Sequence, residues 1–163
     1  MNKIRAILAC DENWGIGKSG TLPWPHNRND QLWFRDCTMG GVVAMGKATW
    51  DDPDMPKPMP GRNNVVITSA EDDGNGSYQF VRFENAEPML KSMAELQQVW
   101  VIGGARLVEA CLPFIDELWL SRITGTYDCD THLPRELIEQ QYYISETQDL
   151  LDKNLYLETW TKK

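Results

Sequence analysis

Apolar and polar positions fall into alternating blocks whose lengths suit strands and helices in turn. Ile4 to Cys10 is a short apolar run that predicts a buried strand, and Gly41 to Met45 predicts a second. Asn64 to Thr68, Tyr78 to Val81, Val99 to Ile102 and Leu118 to Ile123 predict four more. Arg28 to Thr38 and Glu84 to Leu96 carry apolar residues at helical spacing. Lys47 begins a short helix, and another helix follows Gly103-Gly104. Tyr142 to Thr147 and Leu155 to Thr161 predict a closing antiparallel pair. The stretches between are polar or rich in breakers. Asp11 to Asn27 reads as irregular, Asp72 to Ser77 as a polar turn, and Pro53 to Pro60 holds four prolines and reads as a loop.

Strands alternating with helices require crossover connections, hence a mixed, mainly parallel sheet flanked by helices. The expected architecture is α/β, with residues 1–163 forming one domain. Ligands in such folds bind at the carboxyl ends of the strands, so the loops there hold the candidate chemistry.

Composition narrows the function classes. Hydrophobic residues make up 42% and charged residues 25%, ordinary values for a globular protein. No segment reaches the ~18 consecutive apolar residues of a membrane helix. The first residues lack a signal-peptide pattern, and a cytoplasmic protein with no membrane partner is expected. The net charge of -8 argues against nucleic acid as a partner, because phosphate backbones need a basic surface. An anionic substrate must therefore be caught by locally placed Lys or Arg. Cys10, Cys37, Cys111 and Cys129 show no C-x-x-C spacing, and with two histidines no metal site is expected. Packed, reduced thiols are the expectation.

Several constellations stand out, each with an ordinary structural explanation when taken alone. Gly15-Ile16-Gly17 and Leu22-Pro23-Trp24 lie in the first long loop, where large apolar residues either anchor the loop or form a lid. Asp30 falls early in the helix from Arg28, on the face of Phe34 and Cys37. It either complements the helix dipole or is a buried acid with a raised pKa, suited to proton transfer. Gly46-Lys47-Ala48-Thr49 and Gly103-Gly104-Ala105-Arg106 each follow a strand and open a helix, an arrangement that offers free N–H groups to an anion. Neither matches a Rossmann or P-loop fingerprint. Arg62, in the turn Pro60-Gly61-Arg62, is a candidate two-pronged carboxylate clamp or a solvated surface Arg. His132 reads as structural, with no nucleophile-base signature around it.

Taken in order, these motifs resemble the dihydrofolate reductase family nearly end to end. The resemblance rests on Ile7 and Ala9, Gly15-Ile16-Gly17, Leu22-Pro23-Trp24, Asp30 with Phe34, and Met45-Gly46-Lys47-Ala48-Thr49-Trp50. It continues through Pro60-Gly61-Arg62, Val101-Ile102-Gly103-Gly104 and Asp130-Thr131. It implies reduction of 7,8-dihydrofolate to tetrahydrofolate with NADPH, in a monomer. Asp30 would bond the pterin and assist protonation of N5 through water, with Leu22 and Trp24 in the loop over the reacting rings. Ile7, Ala9, Phe34 and Ser121 would line or support the substrate pocket, Arg62 would clamp the glutamate α-carboxylate, and Arg35 would help nearby. Ala9, Ile16, Gly46, Lys47, Ala48, Thr49, Thr68, Ser69, Ile102, Gly103, Gly104, Ala105, Arg106, Leu107 and Thr131 would hold the cofactor. Lys47 and Ser69 would meet its 2′-phosphate, and the Gly103–Gly104 bond would be cis. The chain departs from the family pattern at Val108, at Gln31, in the acidic, Pro-rich loop Asp51 to Met59, and at Pro25-His26-Asn27. Two other readings share parts of the pattern: a pyrimidine reductase of riboflavin synthesis, and an inactive binding module. The Leu-Pro-Trp loop and the acid at position 30 count against the first, and the retained Asp30, Arg62 and Gly103-Gly104 against the second.

Overall fold

The computed structural model describes residues 2–18, 23–25, 27–69, 79–149 and 153–163. Leu22, His26, the expected turn Asp72 to Ser77, and Tyr78 lie outside the described residues. The strands are β1 (Ile4–Cys10), β2 (Gly15–Gly17), β3 (Val42–Gly46), β4 (Asn63–Ile67), β5 (Gln79–Val81), β6 (Val99–Gly103), β7 (Glu117–Ile123), β8 (Thr131–His132), β9 (Tyr142–Asp149) and β10 (Leu155–Lys162). The helices are α1 (Arg28–Thr38), α2 (Lys47–Trp50), α3 (Ala86–Ala94), α4 (Ala105–Cys111) and α5 (Arg135–Gln141). Eight strands form one sheet in the order β5-β4-β3-β6-β1-β7-β10-β9. All pairings from β5 to β7 are parallel, and β10 runs antiparallel to both β7 and β9.

The central strands are apolar throughout because both faces of the sheet are covered. On one face, Ala6, Ala44, Val65, Val101 and Leu118 pack with Leu90 of α3, Leu107 and Val108 of α4, and Ile138 of α5. On the other, Ile7, Val43, Met45, Val66 and Trp100 meet Trp33, Phe34 and Cys37 of α1 and Trp50 of α2. Met55 and Met59 from the Pro-rich loop close this second layer. The acidic loop therefore keeps apolar contacts despite its charge.

The chain passes from β1 to β3, runs outward through β4 and β5, and returns as β6 between β3 and β1. Such a reversal marks the carboxyl ends of β1, β3 and β6 as the place where open parallel sheets bind their ligands.

The sequence reading needs a few corrections. Gly15–Gly17, within the stretch expected to be irregular, pairs with Thr131–His132 as a separate two-stranded sheet. Three residues, two of them glycines, carry too little periodicity to announce a strand. The helix expected over Glu84 to Leu96 begins as a 3-10 turn, Phe83–Asn85, and continues as α3. Pro88 sits at the third position of α3, where its missing N–H costs no helical bond. Helix α5 was not foreseen: Arg135-Glu136-Leu137-Ile138-Glu139 gives barely two turns for the eye to find. No helix among the described residues is long and apolar enough to cross a membrane. All four cysteines are free thiols, with Cys10 and Cys111 buried.

Candidate active site

Helix α1 begins where Asn27 caps it. The Asn27 side-chain oxygen accepts the Asp30 N–H at 3.0 Å. This bond satisfies one orphan donor of the first turn and fixes the turn that carries Asp30. The atypical Pro25-His26-Asn27 entry thus ends in a sound helix cap.

Phe34, one turn after Asp30, packs with Ile7 and Trp50 in the apolar layer between α1 and the sheet. Asp30 lies against the same face of the sheet, beside the Ser121 hydroxyl of β7, which favours its charged form. Ala9 of β1 is the register partner of Ser121, and Ile7 is the partner of Trp119. The expected substrate-side residues Ile7, Ala9, Phe34 and Ser121 therefore gather at the sheet face that α1 and Asp30 cover. Burial pushes the Asp30 pKa up, and the Ser121 bond offsets only part of that rise. Trp24 is buried with Ile123 and Leu155, packs against Ala9, and lies edge-on to Tyr127 at 6.1 Å between ring centroids. The far end of the first loop is thereby anchored beside the same pocket.

Arg62 is fixed from three sides. Its Nε donates to Pro60 O at 3.0 Å and its Nη1 to Thr38 Oγ1 at 3.2 Å. Asn64, which is buried, ties the turn by accepting from Met59 N at 2.9 Å and donating to the Met59 and Arg62 carbonyls at 3.0 Å. Gly61 takes φ +75°, and a Cβ there would collide with the Met39 sulfur. Among the described residues no carboxylate pairs with Arg62. Burial and the nearby positive charge of Arg35 both lower its pKa. A half-buried cation held rigidly beside a second cation suits an anionic group. Arg35 itself is exposed and pairs with Asp36 at 3.0 Å.

A second cradle lies at the ends of β3 and β6. Gly46 and Gly104 occupy the N-cap positions of α2 and α4, and neither helix has a side-chain cap bond. The Gly103–Gly104 bond is cis, as the resemblance implies. A Cβ on Gly46 would sit 3.7 Å from Gly104 N and 3.8 Å from Gly103 O. Gly104 faces open space, and Gly103 takes φ +121° with the Thr49 hydroxyl nearby. Two uncapped helix starts and bare backbone meet here. This surface fits the phosphates of a dinucleotide. Lys47 and Thr49 are half-buried at its edge, Ala48, Ser69 and Arg106 are exposed, and Thr68 is buried just beyond β4. Ile102 and Ala105 are half-buried in the same junction. Leu107 turns into the core on the opposite face, leaving only its backbone for a ligand. Ile16 lies in β2, which pairs with Thr131 at Gly17, so those two expected residues share one short ribbon.

The sequence reading missed Asp11. Only 1% exposed, it accepts at Oδ1 from Asn13 N and Gly15 N, both at 2.9 Å, and at Oδ2 from Tyr127 N at 3.0 Å. The Cys129 thiol lies 3.5 Å from Oδ2. Burial by itself would raise its pKa. The bonds from Gly15, Tyr127, Asn13 and Cys129 reverse the balance and hold it below the usual range. One carboxylate thus joins the root of the first loop to the loop after β7. Asx turns starting at an Asp are common, so nothing local marks this one as spanning two loops.

Comparison with known proteins follows the same pattern. The family model described as dihydrofolate reductase matches residues 3–159. A dihydrofolate reductase of Bacillus subtilis (strain 168) is 32% identical over 154 residues, covering 94% of this chain and 89% of that protein. One from Gallus gallus is 30% identical over 149 residues, covering 82% and 79% respectively. The solved dihydrofolate reductase from Enterococcus faecalis, complexed with NADP(H) and RAB-propyl, superposes with a TM-score of 0.84 at 28% identity. It covers 99% of this chain and 96% of that one.

The Asp11 geometry predicts a sign. Its folded pKa lies below the unfolded value of about 3.9, so its stabilisation is complete above that pH and is lost as pH falls through the folded pKa. Asp11→Ala, which strands three backbone N–H groups, should cost about 3 kcal/mol or more at neutral pH. Urea unfolding between pH 3 and 7 should show the gap between variant and parent narrowing toward the acid end.

Proposed function

The chain belongs to the dihydrofolate reductase family, and from that premise we propose that it reduces 7,8-dihydrofolate to 5,6,7,8-tetrahydrofolate with NADPH as the hydride source. The observation that carries this reading is the partly buried Asp30 carboxyl, raised in pKa and set beside Ser121 on the apolar face between α1 and β7. When bound, NADPH supplies the hydride that adds to C6 of the pterin. The matching proton goes to N5, and together they saturate the N5=C6 bond.

The chain's own residues orient the rings and manage that proton. Asp30 bonds the pterin and assists protonation of N5 by way of water, and burial shifts its pKa in the direction that favours the protonated form. Ser121 stands beside the carboxyl, favours its charged form, and would meet the pterin amino group. Ile7, Ala9 and Phe34 give the ring an apolar bed, which excludes water and strengthens the acid's bonds. The resemblance assigns Leu22 and Trp24 to a loop over the reacting rings, and of the two Trp24 lies within the described residues. Arg62, preset by Pro60, Thr38 and the Asn64 clasp, takes the α-carboxylate of the glutamate tail, with Arg35 adding charge. Gly46, Thr49, Gly103, Gly104, Ala105 and Arg106 line the phosphate cradle. Lys47 and Ser69 meet the 2′-phosphate, and Ala9, Ile16, Ala48, Thr68, Ile102, Leu107 and Thr131 complete the cofactor surface. We read the active unit as a monomeric, cytoplasmic enzyme in a single domain.

Two substitutions test this reading. Asp30→Asn should lower turnover near neutral pH by about 10²- to 10⁴-fold, the usual worth of a positioned acid, and leave NADPH affinity essentially unchanged. Loss of NADPH absorbance with dihydrofolate measures the rate, and near-parental turnover would remove Asp30 from the chemistry. Arg62→Ala should weaken dihydrofolate by about 2–3 kcal/mol, the scale of a charged, bidentate bond, without changing NADPH binding. Separate fluorescence titrations of the two ligands decide it, and an equal loss for both would contradict the assignment.

A further inference from the structure

Lys47 opens α2, a helix of one turn, and Asp51 closes it. The two are bound twice over. The Asp51 N–H donates to Lys47 O at 2.8 Å, and the Lys47 ammonium lies 2.6 Å and 2.7 Å from the two oxygens of the Asp51 carboxylate. Two of the three donors of the ammonium are therefore committed within the helix. The pair stands at the rim of the phosphate cradle, with side chains 39% and 53% exposed. An ion pair so open to solvent is weak, so an incoming anion can take Lys47 from it. The backbone bond keeps the Asp51 backbone at the helix end, so its carboxylate stays within side-chain reach of Lys47.

We propose that Asp51 is a specificity-determining residue that holds down the preference of this site for a 2′-phosphorylated nicotinamide dinucleotide over the unphosphorylated form. The proposal rests on the reading of Lys47 as the 2′-phosphate contact. A 2′-phosphate carries between one and two negative charges near neutral pH, since its second pKa is about 6. To reach Lys47 it must compete with the Asp51 carboxylate and then remain beside it as a like charge. An uncharged 2′-hydroxyl meets neither penalty. The acid therefore acts on one cofactor and spares the other, which is how a repulsive group sets specificity.

The test uses the whole chain and reads binding as well as rate. Calorimetric titration with 2′,5′-ADP and with 5′-AMP isolates the 2′-phosphate. Asp51→Asn should tighten 2′,5′-ADP, and NADPH with it, by about threefold to tenfold, or ~0.7–1.4 kcal/mol. Affinity for 5′-AMP and NADH should stay as in the parent, and the gain should fade near 1 M salt, where charges are screened beyond ~3 Å. Unchanged or weaker binding of 2′,5′-ADP in Asp51→Asn overturns the proposal. Lys47→Met run in parallel locates such a failure. If that variant loses its discrimination between NADPH and NADH while Asp51→Asn changes nothing, Asp51 alone is misassigned. If Lys47→Met keeps the discrimination, the assignment of Lys47 falls and the proposal with it.

Discussion

A carboxyl group kept partly out of water on an apolar sheet face costs free energy, and the rest of the site is arranged around that cost. Asp30 would be more stable ionised in solvent, so its raised pKa measures what folding spends to place it. The sign follows directly. A carboxyl whose folded pKa exceeds its unfolded value loses favour in the fold as pH rises through the folded value. Three features make the placement hold. The Asn27 cap fixes the helical turn, Phe34 and Trp33 anchor α1 to β1, β6 and β7, and the Ser121 hydroxyl offsets part of the cost of burial.

The remainder of the site is backbone. Gly46, Gly103 and Gly104 bring two strand ends and two helix starts together without side chains in the way, and Asn64 holds the Arg62 turn through carbonyl and amide groups. Such surfaces are set by topology. The return of β6 between β3 and β1 is what brings residues 46 and 103 together. Asp11 extends the same principle to the loops, since its carboxylate is bonded by three backbone N–H groups drawn from two segments. Val108, where a departure from the family pattern stood out, is fully buried in the layer opposite α1 and serves the core.

Much of this was legible in the sequence, and for a physical reason. Central parallel strands are apolar throughout, so β1, β3, β4, β6 and β7 announced themselves, and the Gly-bearing junctions followed from their ends. Asp30 was readable because a charge on an apolar helix face breaks the pattern. The β2–β8 ribbon was not, being five residues in all, nor was α5, because short elements carry too little periodicity. Asp11 and Asn64 were invisible for a different reason. Their partners are backbone groups, which every sequence possesses, and only the fold decides which ones lie within reach. The Lys47–Asp51 pair has the spacing of a surface ion pair and gains meaning only at the rim of the cradle.

The central claim is that partial burial in the fold raises the pKa of the Asp30 carboxyl. Carbon-13 NMR titration of aspartate-labelled protein, with the Asp30 resonance assigned by its loss in Asp30→Asn, measures this directly. The account predicts a midpoint clearly above the ~3.9 of a free aspartate, reached without loss of the folded spectrum. A midpoint at or below that value would contradict it, because Asp30 would then be a solvated or charge-paired group and not one partly withdrawn from water.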